Sequence, residues 1–182
     1  MTEVDEPNAR LIASTRVRAD AAITFPRSKE YFMSVLDAFA LTDRVALVTG
    51  ATRGLGRAFA VALAEAGADV VIHGRDADAA SAVKTEIESL GRRAWVVLGD
   101  LTEPGAADRV AADAVGRAGR IDVLINNAGA CIHRPALEVT DDEWSHVFET
   151  NVTALWRMSR AVGRTWSNAE TAASSTSAPS RA

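Results

Sequence analysis

Two rhythms of apolar residues alternate through the middle of the chain. Short runs at Val45-Ala46-Leu47-Val48, Val70-Val71-Ile72 and Trp95-Val96-Val97-Leu98, and from Ile121 to Ile125 with only Asp122 intervening, have the length and branched content of buried strands. Between them apolar residues recur three and four apart, the period of one helix face. The first such face is Leu55, Ala58, Phe59, Ala62, Leu63 and Ala66, stopped by Gly67. The second begins near Asp76 and carries Ala80, Val83, Ile87 and Leu90 up to Gly91. The third follows Thr102 and Pro104 and carries Ala107, Val110, Ala111, Ala114, Val115 and Ala118 up to Gly119. Glycine at each stop suits the left-handed residue that ends many helices. Four strands separated by three helices of similar length predict parallel pairing through right-handed crossovers. That is an α/β architecture, half of a doubly wound parallel sheet.

A last helix is predicted from Thr140, where Thr140 and Glu143 have capping-box spacing and Asp141 and Asp142 suit the helix dipole. Trp144, Val147, Phe148, Asn151, Val152, Leu155, Trp156 and Ser159 follow the helical period, so this face is expected to be buried, with Asn151 its one polar intruder in the middle.

The ends lack such patterns. Up to about Phe32 the chain mixes charges, contains Pro7 and Pro26 and shows no period, so residues 1–40 read as a poorly ordered extension, and Met33 offers an alternative start for the domain. The domain itself is expected over residues 41–165. From Trp166 to Ala182 a Ser/Ala/Thr-rich stretch without period is expected to be disordered.

With 182 residues, 48% of them hydrophobic and 24% charged, the chain can build one sizeable core, and no apolar run is long enough to span a membrane. A net charge of −4 without a clustered basic surface argues against a nucleic-acid binder and for a small-molecule substrate. The lone Cys131 cannot form an internal disulfide, and no charged-then-apolar leader opens the chain, so a cytoplasmic location is expected. Cys131 and His133 have no second Cys/His cluster to make a metal site, and His73 and His146 have no partner pattern. No metal is expected.

The chemistry concentrates at Thr49-Gly50-Ala51-Thr52-Arg53-Gly54-Leu55-Gly56, directly after the first strand. Glycines at these intervals between a buried strand and a helix let backbone N–H groups approach a pyrophosphate at the helix N-terminus. The turn points to a dinucleotide.

With this turn, Asp100 after the third strand, Asn126-Asn127-Ala128-Gly129 after the fourth and Asn151 in the following helix, the stretch from Leu41 to Thr165 resembles the short-chain dehydrogenase/reductase family. The resemblance implies an NAD(P)-binding Rossmann fold, of which about four strands are present. It implies that Gly50, Thr52, Arg53, Gly54, Leu55 and Gly56 form the cofactor turn, and that Asp100, with Leu101 beside it, accepts a hydrogen bond from the adenine amino group. Asn127, Ala128 and Gly129 would pass along the adenine-side ribose, and Asn151 would distort its helix and hold a water in a proton relay. Intact relatives would form homotetramers through this helix and its neighbour. The segment Ala130-Cys131-Ile132-His133-Arg134-Pro135 with the following Asp-Asp-Glu-Trp helix resembles members acting on sugar acids, such as gluconate dehydrogenases, and places Arg134 where it could meet a carboxylate.

Cofactor choice follows from charge. An NAD site ends its second strand with a carboxylate for the ribose 2′-hydroxyl, which would repel a 2′-phosphate. Here the stretch is His73-Gly74-Arg75, with Gly74 in the acid's place, Arg75 and Arg53 free to face a phosphate, and Asp76 serving as a helix cap. NADP is favoured over NAD. The family's hydride transfer uses Tyr-x-x-x-Lys and a Ser, yet the only tyrosine is Tyr31, followed four residues later by Val35, and the only lysines are Lys29 and Lys84. Written with permitted codons and shifted by one nucleotide, the tail from Trp166 reads M-V-E-R-G-D-G-R-I-V-N-I-S-S, the turn, strand and serine that the resemblance would place here, so a frameshift after Thr165 is expected. The expectation is an NADP-preferring oxidoreductase represented by its cofactor-binding half, with a non-catalytic nucleotide-binding module or an unstable gene product as alternatives.

Overall fold

The computed structural model describes the backbone of residues 39–176 and the side chains of residues 39–167. The N-terminal extension up to residue 38 and the last six residues of the tail lie outside the described residues.

Four parallel strands, β1 (Val45–Val48), β2 (Asp69–Gly74), β3 (Ala94–Leu98) and β4 (Val123–Ile125), form one sheet in the order β3-β2-β1-β4. The connecting helices are α1 (Gly54–Glu65), α2 (Ala77–Ser89) and α3 (Ala106–Ala118). A 3-10 turn at Ala136–Glu138, α4 (Asp141–Phe148), a π-helical turn (Glu149–Thr153) and α5 (Ala154–Thr176) follow β4. The predicted doubly wound half-sheet is what the chain builds. Strand side chains point alternately to two faces. Val48, Val70 and Ile72 pack with Ala60 and Ala64 of α1 and Ala80, Val83 and Ile87 of α2. Val45, Leu47 and Val71 pack on the other side with Val110, Ala111 and Ala114 of α3 and Ala154, Met158 and Val162 of α5. Each fully buried Leu47, Ile72, Ile87 or Met158 stabilises the fold by about 1.5–3 kcal/mol relative to exposure.

The strands and the first three helices follow the sequence pattern, but two helix faces do not. On α1 the buried residues are Gly56, Ala60 and Ala64, while Leu55 and Phe59 of the expected face are exposed. Small residues four apart let α1 lie close on the sheet, and closeness rather than bulk decides which face is inside. After Thr140, Trp144, Phe148, Val152, Leu155 and Trp156 are exposed, and the buried stripe of α5 is Ala154, Met158, Ala161 and Val162. The π turn at Glu149–Thr153 inserts one residue into the helical register, so a period counted from Trp144 no longer names the inner face beyond it.

Helical backbone also continues past Thr165 to Thr176, where disorder was expected. Alanine, glutamate and serine tolerate a helix, and the first proline of the tail is Pro179. Trp166 anchors the passage by donating its indole N–H to the Ile121 carbonyl at 2.7 Å. β4 pairs only with β1 and its three residues stay half-buried, so β4 is an edge of the described sheet.

Candidate functional site

The strand order reverses between β1 and β4, and there the chain leaves the sheet through Thr49-Gly50 on one side and Asn126-Asn127-Ala128 on the other. In open α/β sheets a crevice forms at such a switch point, outside the carboxyl ends of the strands.

Thr49, 1% exposed, ties the two exits together. Its hydroxyl donates to the Ile125 carbonyl at 3.3 Å and accepts from the backbone N–H groups of Asn127 at 3.0 Å and Ala128 at 3.1 Å. The Asn127 amide donates to the carbonyls of Thr49 at 2.9 Å and Gly50 at 3.1 Å. Asn127 thus fastens the glycine turn to β4.

The three glycines differ in their work. Gly50 has φ +64° and an added Cβ would lie 3.0 Å from the Ala128 Cα. Gly56 would place a Cβ 2.0 Å from the Gly50 carbonyl oxygen, so it allows α1 to close on the turn. Gly54, at φ +54°, faces open space, which is what close approach of a ligand to the backbone requires. α1 begins after Arg53 with no side-chain cap and no acidic residue in its first turn. By contrast Asp76 caps α2 through the Ala79 N–H at 3.0 Å, as expected, and Thr140 and Glu143 cap α4 as a capping box. The N-terminus of α1 therefore keeps its N–H groups and its positive dipole for an anion.

These elements open onto a cleft of about 710 Å³. It is lined by Gly50, Thr52, Arg53, Gly54, Leu55 and Gly56 of the turn, by Gly74 and Arg75 after β2, by Asp100 and Leu101 after β3, and by Asn127, Ala128 and Gly129 after β4. All twelve residues expected at a cofactor are thus brought to one cavity. Asp100 is fixed by Thr102, whose backbone N–H and hydroxyl donate to its Oδ1 at 2.9 and 2.7 Å, while Arg75 donates to its Oδ2 at 3.0 Å. These donors, Thr102 first, hold the Asp100 carboxyl down at about 2, so it is an ionised acceptor.

Asn151 sits in the π turn, and the helix is distorted there as expected. Its amide, however, is committed to one backbone unit: Oδ1 accepts from the Ala130 N–H at 2.8 Å and Nδ2 donates to the Ala130 carbonyl at 2.8 Å. Through these two side-chain bonds Asn151 positions the loop after β4. Arg134 is likewise engaged, pairing with Glu143 at 2.9 Å rather than standing free for a carboxylate. No group of three or more metal-ligating side chains occurs among the described residues.

The sequence reading missed Thr102, His146 and Thr150, which also line the cleft. Thr102 was legible as the second residue after an aspartate, a spacing that favours local side-chain to backbone bonding. His146 and Thr150 lie one and two helical turns from the capping box of α4, and only the position of that helix over the cleft reveals them.

A family model described as short chain dehydrogenase matches residues 44–174. The chain is 41% identical over 118 residues to an uncharacterized oxidoreductase of Mycobacterium tuberculosis, covering 65% of this chain and 45% of that protein. It is 38% identical over 132 residues to gluconate 5-dehydrogenase of Gluconobacter oxydans, covering 72% and 52%. It is also similar in fold to the crystal structure of 3-oxoacyl (acyl-carrier-protein) reductase from Agrobacterium tumefaciens C58 with NADP bound, at a TM-score of 0.68 and 34% identity, covering 72% and 52%. The chain spans about half the length of the curated relatives it matches.

Proposed function

Because the chain belongs to the short chain dehydrogenase family, we propose that its cleft holds NADP(H) in preference to NAD(H), as the cofactor-binding part of an oxidoreductase acting on a carbonyl or secondary alcohol of a small molecule. The observation that carries the reading is the charge pattern at the end of β2: Gly74 in place of an acid, with Arg75 and Arg53 on the same cleft. Guanidinium groups match a 2′-phosphate with paired donors, and no carboxylate at position 74 repels it. The reductase of Agrobacterium tumefaciens, 34% identical, has NADP bound, which supports the same choice.

The residues present fit such a group. The uncapped N-terminus of α1 would receive the pyrophosphate, the space over Gly54 would let it approach, and Asp100 would offer an ionised acceptor to the adenine amino group. Asn127, Ala128 and Gly129, which line the same cleft, would flank the adenine-side ribose. When bound, the nicotinamide gives or takes a hydride at the substrate carbon. A cytoplasmic setting, where the exposed Cys131 remains a thiol, belongs to the same proposal.

A second reading is a nucleotide-binding module: the 182 residues contain no Tyr-x-x-x-Lys and span about half the length of the curated relatives they match. On this reading the chain binds the dinucleotide without turnover. Sugar acids are the substrate class for the oxidoreductase reading, supported by the similarity to gluconate 5-dehydrogenase.

Calorimetric titration of the purified chain with NADP+ and NAD+ tests the cofactor choice. NADP+ is expected to bind at least about tenfold more tightly, a difference of about 1.4 kcal/mol. Equal binding, or preference for NAD+, would overturn it.

A further inference from the structure

We propose that Thr52 is a specificity-determining residue, keeping an acidic side chain out of the cofactor site by filling the space at the end of β2 into which position 74 projects. The proposal rests on the NADP reading above and identifies what enforces the glycine on which that reading depends.

Gly74 is buried at the last position of β2 and does not have a positive φ, so its backbone conformation does not call for glycine. Its neighbour does. A Cβ at position 74 would lie 2.4 Å from Thr52 Cγ2, 3.3 Å from Oγ1 and 3.5 Å from Cβ. Carbon atoms in good contact stand about 3.5–4.0 Å apart, so the methyl occupies the place of any side chain there. The turn cannot simply retreat. Ala51, the residue before Thr52, donates its N–H to the carbonyl of His73, the residue before Gly74, at 2.8 Å. Gly74 is held from the other side by the Gly99 N–H at 3.1 Å. Rotation of Thr52 gives limited relief, since a β-branched side chain keeps heavy atoms on two of its three staggered positions.

The consequence is electrostatic. A carboxylate at position 74 would meet the ribose 2′ position and compete with Asp100 for Arg75. With Thr52 in place, position 74 stays without charge and Arg75 remains in the cleft wall. The discriminated ligands are dinucleotides with and without a 2′-phosphate.

The test is a double-mutant cycle on the full 182-residue chain, with melting temperature read without ligand and NADP+ and NAD+ affinity read by calorimetry. Gly74→Ala, Gly74→Asp and Thr52→Ser, which removes the methyl, are each made alone, and each Gly74 variant is also made together with Thr52→Ser. Gly74→Ala is expected to lower the melting temperature, and Thr52→Ser to restore most of the loss. Gly74→Asp alone is expected to weaken NADP+ without gaining NAD+. The Thr52→Ser/Gly74→Asp pair is expected to bind NAD+ about tenfold better than Gly74→Asp does, a coupling within the range of contacting residues. Additive effects of the two sites, or a gain of NAD+ by Gly74→Asp alone, overturn the proposal while NADP+ preference of the unmutated chain stands. An unmutated chain that binds neither dinucleotide overturns the NADP reading and this proposal with it.

Discussion

Arg75, after β2, pairs with Asp100, after the neighbouring β3, Nη1 to Oδ2 at 3.0 Å, and the two ends of this ion pair differ in exposure. Asp100 is pinned by two bonds from Thr102, whereas the Arg75 side chain is 70% exposed. On the NADP reading, a phosphate at the ribose 2′ position would compete for an exposed guanidinium against a fixed carboxylate. Arg75→Ala is expected to weaken NADP+ about ten- to a hundredfold, the loss of a hydrogen bond to a charged group, and to change NAD+ less than about threefold. Parallel titrations with the two cofactors check this, and equal losses for both would remove Arg75 from 2′-phosphate recognition.

Thr49→Val is expected to cost about 1–3 kcal/mol in urea unfolding, because the buried hydroxyl accepts from two backbone N–H groups that would lose their partner. Dinucleotide affinity should fall with it, since the glycine turn and the exit of β4 lose their shared fastening. A variant as stable as the unmutated chain would show that water takes over the bonds.

The strands, their order of succession and the cofactor turn were legible because each rests on local pattern: unbroken apolar runs, glycine stops and a motif of fixed spacing. The face of α1 was not. Its inner residues are Gly56, Ala60 and Ala64, which a search for bulky residues passes over. Nor was the inner face of α5, since it is set beyond a π turn at Glu149–Thr153, whose Asn151 makes a long-range bond to Ala130. The same bond gives Asn151 a positioning contact that spacing alone does not carry.

Acid stability should be governed first by His73. It is 2% exposed on β2, and burial of the ring, only partly offset by the nearby Gly99 backbone and the Asp100 charge, lowers its pKa from 6.5 to about 4. The unfolded chain thus takes up a proton that the folded chain refuses, so stability present above about pH 6.5 is lost as pH falls toward 4, by about 3 kcal/mol. The Asp100 carboxyl, lowered to about 2, adds loss only below about pH 4. His73→Leu is expected to flatten the upper window and leave the lower one. Unfolding curves at pH 7, 5 and 3 check this, and an unchanged slope between 7 and 5 would assign the loss elsewhere.

Trp144, Phe148, Val152, Leu155 and Trp156 expose apolar surface along α4, the π turn and the start of α5. Such a patch on an isolated chain favours association. Sedimentation of the chain is expected to show concentration-dependent self-association, consistent with the oligomer expected of intact relatives. Trp156→Asp is expected to shift it toward monomer. A monodisperse monomer of the unmutated chain at high concentration would leave this face without a partner of its own kind.

Binding and turnover should separate in this chain. Acid–base catalysis by a positioned side chain contributes about 10²–10⁴-fold, and the tyrosine and lysine that the family uses for it have no counterpart among the described residues that line the cleft. Lys84 pairs with Glu88 on α2 at 3.7 Å and does not line the cavity, and Lys29 and Tyr31 lie outside the described residues. The purified chain is therefore expected to give calorimetric heat with NADPH and no loss of NADPH absorbance with carbonyl substrates. Turnover comparable to an intact relative would require another proton donor. His146, on the cleft wall, is the first to test, because His146→Ala would abolish such turnover if the imidazole supplied the proton and leave it intact if a contaminating enzyme did.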